Sequence, residues 1–141
     1  MTSSAISPRS AAAGRLALPA AVGAAAVAAT AAVAMVDPNE AGHYPACPFL
    51  MVTGLFCPGC GTLRAVHALT HGDVATAVEL NVLTLALLPV LVWAWFAWVR
   101  YRAGARRTMP ALTPTAGHAV AIAVPLFWVA RNLPWFSALA P

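Results

Sequence analysis

Two stretches of this chain carry no charged side chain over a length that matches the hydrocarbon core of a bilayer, and this limits its folds more than any other feature. They are residues 16–36 and 80–99. At about 1.5 Å per residue, each makes roughly 30 Å of helix, one hydrocarbon thickness. Inside lipid, the backbone N–H and C=O groups have to be satisfied within the segment itself, so an isolated stretch of this kind is a helix. The first is mostly Ala and Val and only weakly apolar, whereas the second is rich in Leu, Val and Trp. A shorter apolar run follows at residues 115–133. The chain therefore reads as all-α, an integral membrane protein with three transmembrane helices and a short interfacial or re-entrant helix.

Composition supports this reading. Hydrophobic residues make up 61% of the chain and charged residues 9%, against about 25% charged in a soluble domain. So few charges cannot furnish an ordinary water-facing surface. All eight basic residues are arginine, and the net charge is +4. A basic balance can signal an anionic partner. Here the arginines mostly flank the apolar runs, and no nucleic-acid motif accompanies them. The expected partners are the lipid bilayer and either another membrane protein or a second copy of the chain, not nucleic acid.

The arginines also orient the chain. Arg9, Arg15, Arg100, Arg102, Arg106 and Arg107 fall on one side of the expected spans, and Arg64 and Arg131 on the other. Basic loops stay cytoplasmic. That places a disordered tail (residues 1–15) and the loop 100–114 inside. The segment 37–79 and the tail 134–141 face outward. Trp93, Trp95, Trp98 and Tyr101 crowd the inner end of the second span, as expected at a headgroup interface. Pro89 is expected to kink that span. A signal peptide is the alternative for residues 1–34, with Ala32-Val33-Ala34 as its cleavage site. The apolar stretch, however, exceeds the usual h-region of about 7–15 residues, which favours a retained span.

The chemistry concentrates in residues 37–79. All four acidic residues lie there, together with the three cysteines and three of the four histidines. Pro38, Pro45, Pro48 and Pro58 break any long helix ahead of Gly61. Residues 62–71 can form a short helix, which Gly72 ends. Asp73 is suited to cap the next. Pro58 and Gly59 form a tight turn between Cys57 and Cys60. Cys60 would then lie at the N-terminus of the short helix, where the helix dipole and Arg64 favour a thiolate. Cys60, Arg64, His67 and His71 are spaced by four, three and four, so they share one helix face.

Three chemistries suit these residues. Cys57 and Cys60 can form a structural disulfide in an oxidising space. Alternatively, they can bind a metal, zinc being the candidate, with Cys47, His67, His71 or His43 completing the set. Cys-Pro-Gly-Cys-Gly supplies half of the pattern of a zinc knuckle, and no second Cys-x-x-Cys is present. The third is a redox-active dithiol with Cys47 as resolving thiol. His43 and His118 read as loop and interfacial residues. Arg64, Glu79, Asn81, Arg131 and Asn132 read as structural or interface residues that join helices or reach headgroups.

Cys47-Pro48, Thr53-Gly54, Cys57-Pro58-Gly59-Cys60-Gly61, Arg64-Ala65, Gly72 and Asn81, with Arg131-Asn132-Leu133-Pro134 further on, together resemble the signature of a bacterial membrane-protein family known as domain of unknown function 2752. The resemblance implies a short helical protein of the bacterial inner membrane with a cysteine-bearing segment between spans. It implies no activity and no catalytic residue. One departure is visible: the family's Asn-Pro-Leu at the start of the second span is Asn81-Val82-Leu83 here.

No Ser–His–Asp set, phosphate loop or paired-carboxylate site is evident. The leading expectation is a non-catalytic membrane component, its outward Cys/His/Arg segment a disulfide or metal site that also docks a partner. The alternative is a membrane thiol–disulfide oxidoreductase using Cys57 and Cys60, although a thioredoxin-like βαβ context is lacking. A transporter or channel subunit is a third class, but no charge lies mid-span to mark a route.

Overall fold

A computed structural model of the chain describes residues 8–40, 42–109 and 111–140. It contains five α-helices and no strand among them: α1 (Pro8–Met35), α2 (Pro48–Thr53), α3 (Thr62–Thr70), α4 (Val74–Arg102) and α5 (Pro114–Arg131). A short 3₁₀ helix, Pro134–Leu139, follows α5.

α1 and α4 are antiparallel, and one aromatic contact fixes their register. Trp95 Nε1 donates to the carbonyl of Pro19 at 3.1 Å. The indole lies over Gly23, where an added Cβ would come within 2.7 Å of the ring. Toward one end Arg102 Nε donates to the Arg15 carbonyl at 2.9 Å. Toward the other, His67 Nδ1 lies 2.8 Å from the Val33 carbonyl. That distance to an acceptor requires this nitrogen to carry the hydrogen.

α3 and α4 form a hairpin with a small-residue seam. Ala65 and Ala77 are fully buried and Ala68 nearly so, with Leu69, Leu80 and Leu85 around them. Small side chains let the two backbones approach closely. Gly72 makes the turn at φ 81°, a conformation that costs glycine nothing. Asp73 then accepts from the Thr76 N–H at 3.0 Å and caps α4.

α4 breaks at Asn81, the one residue inside it with non-helical dihedrals (φ −165°, ψ 90°). Asn81 Oδ1 accepts from the Thr84 N–H at 3.0 Å. The asparagine is thus the N-cap of the long second part of the helix. Sequence reasoning assigns the kink to Pro89. That proline lies within the helix without disturbing its dihedrals, and the distortion occurs where a side chain replaces the backbone acceptor.

The structure differs from the sequence expectation in further ways. Among the described residues, two helices, not three, are long and apolar enough to cross a membrane: Gly14–Met35 and Val74–Arg102. The run expected as a third span forms α5, whose 18 residues reach only about 27 Å. Its first turns carry Thr115, Gly117 and His118, and its last residue, Arg131, is turned into the protein. The helical first part of α1 begins at Pro8, inside the expected disordered tail, of which residues 1–7 lie outside the described residues. α2 is a six-residue helix where only loop was expected, with Pro48 in its first turn.

The interior is small and polar, while the large apolar side chains point outward. Val27, Leu91, Phe96, Ile122, Leu126 and Val129 are all more than half exposed. Arg131 and Asn81, by contrast, are 2% and 1% exposed.

Candidate metal centre

The loop between α1 and α3 carries the site, and distant residues hold it in shape. Pro48 starts α2 directly after Cys47, and Gly54 ends it at φ 71°. This folds the chain back so that Cys47 meets Cys57. Asn132 then grips Phe56 from both sides. Its Oδ1 accepts from the Phe56 N–H at 2.8 Å, and its Nδ2 donates to the Phe56 carbonyl at 2.9 Å. Residues 57–60 form a turn closed by the Cys60 N–H on the Cys57 carbonyl at 3.1 Å.

Two buried side chains satisfy the carbonyls of that turn. Arg131 Nη1 donates to the carbonyls of Cys57 (3.0 Å) and Pro58 (3.2 Å), and Nη2 donates to that of Cys60 (3.1 Å). Asn81 Nδ2 donates to the carbonyls of Pro58 (2.9 Å) and Cys60 (3.0 Å). Thr62 and Thr84 link their hydroxyls at 2.8 Å beside it. The guanidinium lies 4.9 Å from the Phe127 ring centroid and 6.0 Å from that of Phe56. Its Nε has no partner, and no carboxylate pairs with it among the described residues.

The three thiols converge beneath this framework. Cys57 Sγ is 3.0 Å from Cys60 Sγ and 3.6 Å from Cys47 Sγ, and all three sulfurs lie within 4.8 Å of one another. Sulfurs around a tetrahedral zinc, at about 2.3 Å from the ion, stand about 3.8 Å apart. The Cys47–Cys57 pair already has nearly that spacing, and Cys57–Cys60 would open by less than an ångström. A disulfide between Cys57 and Cys60 would instead require an approach of about 1 Å and would leave Cys47 unused. As a donor set, three soft thiolates suit zinc.

The thiols differ in acidity. The Leu50 backbone N–H, with a hydrogen bond from Cys60, holds the Cys47 thiol below its ordinary value. Burial, reinforced by the adjacent Cys57 and Cys47 thiols, pushes Cys60 up to about 12. Sequence reasoning favours Cys60 as the thiolate through the α3 dipole and Arg64; enclosure of its sulfur works in the opposite direction.

The histidines stand apart from the sulfurs. His67 turns toward α1, with Nε2 3.8 Å from an Asp37 carboxylate oxygen. His71 Nδ1 lies 2.9 Å from the His67 carbonyl, and the two rings stack at 4.3 Å. They do share the α3 face that their spacing predicts, but that face continues onto the end of α1. His43 sits in the exposed turn beside Glu40, and His118 is exposed on α5. Arg64 lines a groove of about 420 Å³ whose wall includes all three cysteines.

Sequence reasoning did not identify Phe56, Phe127, Thr62 or Thr84 as part of the site. Their types are common in any apolar helix, and no spacing singles them out. Sequence reasoning places Arg131 and Asn132 among structural or interface residues that join helices or reach headgroups, and does not connect them with the cysteine turn. The available clue was an arginine next to an amide at the end of an apolar run.

Residues 47–95 match the model of the family described as "Protein of unknown function (DUF2752)", the family that the sequence resembles. The match spans all three cysteines, α2, α3 and most of α4. No curated protein and no solved structure matches the chain.

Proposed function

We propose that this is a small membrane protein whose outward-facing loop binds one thiophilic divalent cation, zinc being the natural candidate, through Cys47, Cys57 and Cys60. The observation that carries this reading is the third sulfur. A structural disulfide needs only Cys57 and Cys60, yet the chain builds α2 and a left-handed Gly54 that bring Cys47 Sγ to 3.6 Å from Cys57. Charge supports it too. Three thiolates and a divalent cation carry a net −1, and the buried Arg131 guanidinium, without a carboxylate partner among the described residues, supplies the matching +1 at the same turn. Buried charges are retained when they are compensated in this way.

Membrane residence rests on the two long apolar helices and the outward-pointing large side chains, an arrangement that water penalises. Arg15 and Arg102 share one end of the α1–α4 pair, and the cysteine loop lies toward the other. With basic ends kept inside, the metal centre is exoplasmic, and its role is to order the loop and to bind rather than to catalyse. The ion would tie Cys47 to the Cys57–Cys60 turn, which Asn81 and Arg131 hold to α4 and α5, and the loop presents a surface to a partner.

The thiol–disulfide oxidoreductase reading retains one observation, the close succession of Cys47, Cys57 and Cys60 sulfurs. It is the weaker reading, because the described residues are all helical or loop and offer no thioredoxin-like βαβ context.

The test is zinc content of the detergent-purified full chain and of its Cys47→Ser, Cys57→Ser and Cys60→Ser variants. The expected result is near-equimolar zinc in the parent and a large loss in each variant. Retention of zinc by Cys47→Ser would remove the observation on which the reading stands.

A further inference from the structure

We propose, building on the trithiolate reading, that the metal keeps one exchangeable coordination position and that this position takes an external thiolate from the groove beside Arg64. Only three donors converge among the described residues. The nearby histidines are engaged elsewhere, His67 at the Val33 carbonyl and Asp37, and His71 at the His67 carbonyl. A four-coordinate zinc held by three protein ligands takes its fourth from outside.

The groove supplies the direction and the chemistry. It opens onto the faces of Cys47 and Cys57, which are partly exposed, while Cys60 is buried behind them. Its walls include Tyr44, Leu50 and Phe56, with Arg64 the charged residue along them. At about 420 Å³ it accommodates a small molecule or one side chain with its adjoining backbone. Arg131 already neutralises the metal–trithiolate unit, so Arg64 leaves the groove with a net positive charge. An anionic ligand is therefore attracted, and a centre of three soft sulfurs prefers a fourth of the same kind. On binding, the external thiol loses its proton to solvent and its sulfur replaces a metal-bound water. No electron is transferred.

The experiment uses the full chain in detergent, loaded with cobalt(II) as a spectroscopic substitute for zinc and titrated with 2-mercaptoethanol and, separately, N-acetylcysteine. The expected result is a saturable rise of about one third in the thiolate-to-cobalt charge-transfer absorbance, as three sulfur ligands become four. The oligomeric state of the chain should not change on addition of thiol. Arg64→Gln should weaken N-acetylcysteine binding about threefold or more, with a smaller effect on 2-mercaptoethanol, and Arg64→Lys should restore most of it. Four-sulfur absorbance before any thiol is added would overturn the proposal, because a second copy would then already fill the position. So would a spectrum unmoved by thiol, or release of cobalt in place of a shift. Failure of cobalt to bind at all would refute the trithiolate reading itself, a distinct outcome.

Discussion

The Arg131 guanidinium donates to the Cys60 carbonyl across 71 positions of sequence, at 3.1 Å. With the bonds to Cys57 and Pro58, it ties the last residue of α5 to the turn that carries two of the three thiols. A buried cation contributes here through charge-assisted bonds to carbonyls and through proximity to sulfur. Replacing it by a shape-similar apolar residue removes both.

Arg131→Met is expected to lower stability by about 2–4 kcal/mol, the net of several charge-assisted hydrogen bonds against the recovered desolvation cost. It should also expose Cys60 to maleimide in the metal-free chain. Arg131→Lys keeps the charge but loses the fork, and should fall between the two. Thermal unfolding in detergent and labelling rates check this. Parent-like labelling of Cys60 in Arg131→Met would mean that the guanidinium does not hold the turn.

Val82 occupies the first helical position after the Asn81 cap, where the related signature has proline. The backbone of Asn81 (φ −165°, ψ 90°) is already outside the helical region, as a following proline requires. Val82→Pro should therefore be neutral or stabilise by about 0.5–1 kcal/mol. Asn81→Ala removes the cap and two carbonyl partners, and should cost about 2 kcal/mol. A Val82→Pro chain destabilised as much as Asn81→Ala would show that the cap geometry is misread.

Gly23 of α1 lies directly against the Trp95 indole of α4. A β-branched side chain there meets the rigid Trp95 indole, so Gly23→Val should cost about 1–3 kcal/mol by overpacking. It should also release the Trp95–Pro19 hydrogen bond, seen as a change in indole fluorescence. An unshifted emission spectrum would contradict the contact.

Acid sensitivity has a local source at the start of α4. The hydrogen bonds from Thr76, side chain first and then backbone, hold the Asp73 carboxyl below its ordinary 3.8. A depressed carboxyl contributes stability above its unfolded value and loses it as pH falls through the folded value. The cap should thus weaken progressively below pH 3.8. Asp73→Asn keeps an acceptor without a titrating proton. Its stability difference from the parent should shrink as pH falls over that range, and a difference independent of pH would exclude this origin.

The two long helices were legible because absence of charge over a hydrocarbon thickness is a one-dimensional signal. Gly72 and Asp73 were legible for a similar reason, since a helix stop followed by a cap is local chemistry. The cysteine turn was visible as a motif, but its third sulfur was only one of several open partners. Nothing in the sequence distance between Cys47 and Cys57 says that α2 folds one back onto the other. The α3 face pointed to His67 and His71 as ligands with equal force. Tertiary packing turns His67 to the Val33 carbonyl and His71 to the His67 carbonyl, and spacing alone cannot show it. Arg131 is the clearest case. An arginine ending an apolar run most often reaches toward headgroups. Here it turns inward because three carbonyls of a distant turn await donors.

The central claim, that three sulfurs share one metal ion, is tested most directly by the intact mass of the full chain released from detergent under native conditions. The account predicts the mass of the polypeptide plus one zinc, less two hydrogens, reverting to three alkylatable thiols after chelation. A metal-free chain two hydrogens light, with a single alkylatable cysteine, would contradict it.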